Sequence, residues 1–143
     1  MFNPSQADVR NFFFDTYAKA DTAQELTDLE KITYGVILEH PEYHDILQNK
    51  EKYLNFEWNV ENGQTNPFLH LSMHLTILEQ LSIDQPQGIS ELFNQLYMKF
   101  VKRHDAEHQL IDCIGEMLWQ AQRNQSMPDV TIYLDCINKK LRN

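Results

Sequence analysis

The sequence predicts an all-α protein, folded as a single-domain helical bundle of about five to six helices over residues 1–143. Three observations support this expectation. The chain has 143 residues, enough for one domain with a substantial core. It has only four glycines and five prolines, few for the many turns of an all-β chain. Apolar residues recur at helical spacing, and no alternating strand pattern competes with them.

Proline and capping residues define the elements of the first half. Pro4 is expected to open the first helix, because proline is tolerated in a first helical turn. Thr27 and Glu30 belong to TDLE, a capping box that starts a second helix, and Pro41 should end that helix. The predicted elements are helices over residues 5–19, 27–39 and 42–48 and a loop over residues 50–64.

The second half shows the same kind of signals. Thr65 or Asn66 is predicted to cap the next helix, with Pro67 in its first turn. The stretch DQPQG at residues 84–88 predicts a turn. The predicted helices cover residues 67–82, 89–124 with a break near 103–105, and 128–141.

Two glycines, Gly35 and Gly115, lie inside predicted helices, where glycine costs up to about 1 kcal/mol against alanine. Either two backbones approach closely there, or the glycines are simply tolerated. The sequence leaves both explanations open.

Composition and charge exclude several classes of protein. The net charge is −9, and no basic stripe is present, so we expect neither nucleic acid nor an anionic membrane as partner. No apolar run approaches the length of a membrane span, and the start lacks the pattern of a secretion signal. We therefore expect a cytoplasmic protein. Cys113 and Cys136 match no metal-knuckle or redox spacing, so they are expected to be buried free thiols.

The histidines carry the clearest chemical signal. Six histidines form three pairs, each with a spacing of four residues, whereas random placement would give about 0.2 such pairs. Side chains four residues apart stack on one face of a helix, so two imidazoles can reach one metal ion from one direction. The pairs are His40 and His44, His70 and His74, and His104 and His108.

The pattern predicts a site for a divalent transition metal ion, zinc or iron, between helices. Neutral imidazoles together with carboxylates suit these metals. Pro41 disturbs the first pair, so His44 is the better placed of its two histidines. The predicted ligands are His44, His70, His74 and His108, and the reserve ligands are His40, His104, Glu116 and Asp112.

Carboxylates could serve such a site in two further ways. Glu107 or Glu116 could accept the remaining imidazole N–H of a ligand. If three ligands left one position open, a metal-bound water could become a nucleophile, with Glu116 or Glu107 as candidate general base. The motifs of zinc proteases, serine hydrolases and nucleotide-binding loops are absent from the sequence. Whether the protein is an enzyme stays open.

Two other functions stay open beside metal binding. The first is a non-catalytic, acidic interaction module with a structural histidine cluster, docking a partner protein through Tyr53, Phe56 and Trp58. A homo-oligomer is also possible. These aromatic residues could equally well cover the core. The second is haem ligation by two histidines.

Several segments resemble known families. The HxxxH pattern of His70 and His74 resembles one helix of hemerythrin-like proteins, and His108 with Asp112 is similar to their last helix. DinB-like bundles resemble the chain in using one isolated histidine plus HxxxH. Over essentially the whole chain, a bacterial domain-of-unknown-function family of small proteins is similar to it. This resemblance implies a complete, bacterial chain and no particular activity. It rests on the segments MFNPS, ILEHPEYH, NPFLHLSMHL, EQLSIDQPQGI, and HDAEH followed by GEMLWQAQRN.

Overall fold

A computed structural model describes residues 5–59 and 63–143, and every regular element in these ranges is helical. The all-α prediction is confirmed. The expected number of five to six helices is too low, because the described ranges contain eight α-helices and one 3₁₀ turn. Pro4, the expected start of the first helix, lies outside the described residues. The elements are α1 (Gln6–Asp21), α2 (Asp28–Leu38), a 3₁₀ turn (Pro41–Tyr43), α3 (His44–Leu47), α4 (Lys50–Tyr53), α5 (Pro67–Ile83), α6 (Ile89–Phe100), α7 (Arg103–Arg123) and α8 (Val130–Arg142).

The predicted capping box at the start of α2 is confirmed. The hydroxyl of Thr27 accepts the backbone N–H of Glu30 at 3.2 Å, and the carboxylate of Glu30 accepts the N–H of Thr27 at 2.9 Å. Lys19 of α1 donates to the same carboxylate at 2.9 Å. The two bonds satisfy N–H groups that a helix start leaves without intrahelical partners, and the lysine links α2 to α1.

Two expected boundaries need correction. The predicted loop over residues 50–64 begins with a helical turn, α4, because the run KEKY contains good helix formers and neither proline nor glycine. The break predicted near residues 103–105 lies at Val101 and Lys102 instead. Val101 has φ 69° and ψ −46°, and the N–H of Lys102 donates to the carbonyl of Phe100 at 2.7 Å. This three-residue turn ends α6 and lets α7 begin at Arg103.

The chain forms two compact units, Met1–Leu75 and Thr76–Asn143, and the boundary falls within α5. In unit 1, α1 packs against α2 and α3. The ring of Phe68, near the start of α5, lies 5.3 Å from that of Phe14 and 6.1 Å from that of Phe13. The buried apolar residues of unit 1 are Phe13, Phe14, Val36, Ile37, Leu47, Phe68 and Leu71.

Unit 1 also buries one cation. Arg10 of α1 is 2% exposed, and its Nη1 donates to the carbonyls of Tyr53, Leu54 and Phe56 at 3.2, 2.9 and 2.7 Å. Its guanidinium lies over the ring of Trp58, 4.9 Å from the centroid. Carbonyl dipoles and an aromatic face therefore surround the buried charge.

Unit 2 is built from helices that pack pairwise: α7 against α8, and α6 against both. Cys113 of α7 and Cys136 of α8 form a disulfide, so the expectation of free thiols is wrong. The α7–α8 packing brings their Cα atoms to 5.5 Å, within the range that a disulfide needs. This pairing could not be predicted from the sequence, because the two cysteines are 23 residues apart and meet only through the packing of two helices.

The two helix-interior glycines do not mark close approaches. A Cβ built at Gly35 or Gly115 would meet no neighbouring atom within 4 Å. Of the two explanations, tolerated glycine is therefore the better one. Within the described ranges, no helix combines the length and apolar character needed to cross a membrane.

Candidate metal centre

His40 is positioned by the end of α2. The ring is 1% exposed, and its Nδ1 lies 2.8 Å from the carbonyl oxygen of Val36. A carbonyl oxygen can only accept, so Nδ1 carries the proton and, in the neutral ring, Nε2 carries the lone pair. This is the tautomer that a histidine needs in order to bind a metal through Nε2.

Three imidazoles cluster in unit 1. His40 lies just beyond the end of α2, and His70 and His74 come from adjacent turns of α5. The ring centroids are 5.0 Å apart for His40 and His70, 4.7 Å for His40 and His74, and 4.9 Å for His70 and His74. The three ring centroids form a nearly equilateral triangle. In each pair, the two rings meet edge to face.

The nitrogen atoms approach more closely than the rings. Nε2 of His70 and Nε2 of His74 lie 3.3 Å apart. With Zn–N bonds of about 2.0–2.1 Å, two ligands of a tetrahedral zinc site have nitrogens about 3.3 Å apart and ring centroids about 5 Å apart. The His70–His74 pair therefore has the dimensions of two such ligands. Without an ion, the same contact is one imidazole N–H donating to the other imidazole.

Tyr43 is a member of this cluster that the sequence argument missed. Its ring stacks on His40 with centroids 5.4 Å apart and meets the edge of His70 at 6.2 Å. Burial raises the pKa of Tyr43, and the charge of Glu42 raises it further, so the phenol stays neutral. The signal was present in HPEYH, because a residue three positions after His40 lies near it when the intervening segment is one helical turn.

His44, a predicted ligand, has another role for its Nε2. That nitrogen donates to the carbonyl oxygen of Ile37 at 3.0 Å, and the ring packs 5.6 Å from that of Tyr17. The bond ties α3 to the end of α2. His44 thus connects two helices, whereas His40, predicted only as a reserve, joins the triangle.

Unit 2 carries the third pair. His104 and His108 lie one turn apart on α7, with ring centroids 4.2 Å apart. Glu107 between them is buried and pairs with Arg103 at 3.4 Å. The reserve carboxylates have other partners: Asp112 accepts from Lys140 at 3.3 Å, and Glu116 accepts from Gln120 at 2.7 Å.

The aromatic residues predicted as contact anchors pack together. The centroid of Phe56 lies 4.7 Å from that of Trp58 and 5.4 Å from that of Tyr53. Trp58 meets the edge of Phe68, at the start of α5, at 5.7 Å. These contacts favour the explanation that the three residues cover the core of unit 1.

Comparison with known proteins identifies one family. A family model described as a domain of unknown function, DUF1841, matches residues 5–139, so the resemblance to such a family is confirmed. Neither a curated protein nor a solved structure matches the chain.

Proposed function

We propose that this chain, which belongs to the DUF1841 family, binds a divalent transition metal ion, zinc or iron, through its paired histidines. The observation that supports the proposal most directly is the 3.3 Å separation between Nε2 of His70 and Nε2 of His74. It equals the spacing of two nitrogen ligands about 2.0–2.1 Å from one zinc ion.

His40, His70 and His74 are the proposed core of the ligand set. The bond from His40 Nδ1 to the Val36 carbonyl sets the ring tautomer, as outer-shell partners do in metal sites. His104 and His108 enter the proposal as a second pair of candidate ligands, because they lie one turn apart on α7 with ring centroids 4.2 Å apart. A set made of neutral imidazoles suits zinc or iron better than magnesium or calcium, which prefer oxygen ligands.

Burial gives a second argument. His74 is 0% exposed and His40 is 1% exposed, so almost no solvent contacts either residue. If several adjacent imidazoles took up protons together, their like charges would repel. A bound cation instead uses their neutral lone pairs. When bound, the ion would supply a Lewis acid, with an open position if only three histidines hold it.

Metal analysis of protein purified without an affinity tag tests the proposal. We expect about one equivalent of zinc or iron per chain, and a melting temperature that falls on chelation and recovers with added metal. His70→Ala with His74→Ala should abolish both effects. His104→Ala with His108→Ala shows whether the second pair contributes: a loss of metal places that pair among the ligands.

The contradicting result is equally concrete. Less than about 0.2 equivalents of any transition metal, together with a melting temperature that added Zn²⁺ or Fe²⁺ leaves unchanged, would reject metal binding. A Soret absorption band that disappears in His70→Ala with His74→Ala would show that the histidines bind haem instead. A double variant that keeps its stability and its binding partners would favour the interaction module.

A further inference from the structure

A pocket of about 280 Å³ lies beside His70 in unit 1. It is bordered by the segment before α5 and by the first two turns of that helix. Besides His70, its lining includes the amide and hydroxyl side chains of Gln64, Thr65 and Asn66 and the apolar side chains of Leu69 and Met73. The pocket therefore shares one wall with the proposed metal centre.

Among the described residues that line the pocket there is no lysine, arginine, aspartate or glutamate, although 33 of the 143 residues, 12 basic and 21 acidic, are charged. A charged ligand would lose water here without gaining a counter-charge, which is unfavourable. The walls therefore favour an uncharged molecule.

The polar groups of the lining are biased towards donors. The Oδ1 of Asn66 accepts the backbone N–H groups of Phe68 and Leu69 at 3.0 and 3.3 Å. The Oε1 of Gln64 accepts the backbone N–H of Asn59 at 2.6 Å. Backbone N–H groups can only donate, so these bonds fix which side of each amide is the oxygen. The NH₂ group of each amide is then the group that can donate a hydrogen bond to a ligand.

The apolar part of the pocket is accessible. Leu69 is 52% exposed although it follows directly after buried Phe68, and Met73 lies one turn further along the same side of α5. Methionine is flexible and polarizable, so it adapts to ligands of different shape. An apolar chain lying on these two residues would remove their surface from water.

We propose that this pocket binds an uncharged small molecule that carries a carbonyl oxygen and an apolar chain. The carbonyl oxygen accepts from the amide NH₂ groups of Gln64 and Asn66, and the chain lies on Leu69 and Met73. The inference deepens the proposed function and rests on it, because it places this ligand beside a histidine of the metal centre.

Butyramide is a suitable probe, since it has a carbonyl oxygen, an apolar chain and no charge, and butyrate is its matched charged control. In zinc-loaded, ¹⁵N-labelled protein, we expect butyramide to shift the side-chain NH₂ signals of Gln64 and Asn66, and butyrate to leave them in place. Leu69→Trp, which fills the pocket from an exposed position, should abolish the shifts and keep the metal content. Leu38→Trp, at another exposed leucine of unit 1, should retain both.

Cobalt separates the two proposals. In protein loaded with paramagnetic Co²⁺, butyramide bound beside His70 should show broader proton signals than with the zinc protein. Equal shifts by butyrate, or no shifts by butyramide in protein that does hold metal, would overturn the ligand assignment and leave the metal centre standing. Butyramide shifts in protein that takes up no metal would reject the metal centre and the link to it, while supporting the pocket.

Discussion

The side chains of Cys113 in α7 and Cys136 in α8 are joined by a disulfide that closes a loop of 23 residues. Such a bond stabilises a fold mainly by restricting the unfolded chain. We predict that a phosphine reductant lowers the free energy of unfolding by about 3 kcal/mol, measured by urea denaturation. Cys113→Ala with Cys136→Ala should be insensitive to the reductant. Two thiols found by titrating the unreduced, denatured protein would contradict the bond.

Replacing Val101 by glycine should stabilise the protein. Val101 has φ 69° at the three-residue turn between α6 and α7, a conformation that a β-branched residue rarely adopts. Its side chain is 75% exposed, so glycine loses little burial. We expect Val101→Gly to raise the free energy of unfolding by about 1 kcal/mol in urea denaturation. Val130→Gly, at the start of α8, is the matched control and should lower it by up to about 1 kcal/mol. A loss of stability in Val101→Gly would show that the turn is unstrained.

The capping box of α2 should make stability depend on pH. The pKa of Glu30 lies below its ordinary value of 4.5, first because the carboxylate accepts the backbone N–H of Thr27 and next because Lys19 donates to it. Its stabilising contribution is thus present above pH 4.5, where the unfolded chain is also ionised, and is lost as the pH falls through the lower folded-state pKa. Glu30→Gln keeps an oxygen acceptor but no charge.

We therefore expect wild type to exceed Glu30→Gln in stability at neutral pH, and the difference to shrink on acidification, measured by urea denaturation across a pH series. Lys19→Met should keep part of this pH dependence, because the backbone bond to Thr27 is the largest single cause of the lowered pKa. A difference between wild type and Glu30→Gln that does not change with pH would refute the argument.

The two histidine roles in unit 1 can be separated by single variants. His44→Ala removes the bond to the Ile37 carbonyl and should cost about 1 kcal/mol of stability while leaving the metal content unchanged. His74→Ala should remove the metal, because its Nε2 lies 3.3 Å from that of His70. Elemental analysis and urea denaturation of the same preparations measure both quantities. Metal loss in His44→Ala would return that residue to the ligand set.

The open space around the helix-interior glycines predicts a gain from alanine. Gly35→Ala and Gly115→Ala should each raise the free energy of unfolding by up to about 1 kcal/mol, because nothing beyond the chain neighbours and the local helix backbone lies within 4 Å of the added methyl group. Thermal or urea denaturation is a sufficient measurement. A loss of stability in either variant would revive the explanation that two backbones approach closely there.

Local signals predicted the helices well. The capping box at Thr27 and Glu30 and the cap at Asn66 could be predicted from the sequence. The first N–H groups of a helix lack intrahelical acceptors, and few residue types can supply one. The spacing of His70 and His74 likewise predicted their shared position on one helix. Long-range packing was not legible. The disulfide, and the contact between the rings of His40 and His70, depend on how helices meet, which no local spacing encodes.

The bonds of Arg10 bear on the order in which unit 1 folds. The carbonyls that it gathers lie 43 to 46 residues further along the chain, and the segment from Leu54 to Trp58 has no helix or strand of its own. The chain between Arg10 and these carbonyls must close into a loop before the hydrogen bonds can form, and this closure costs conformational entropy. We therefore expect that segment to become ordered only once α1 is in place, with one side chain of the first helix holding a region far along the sequence.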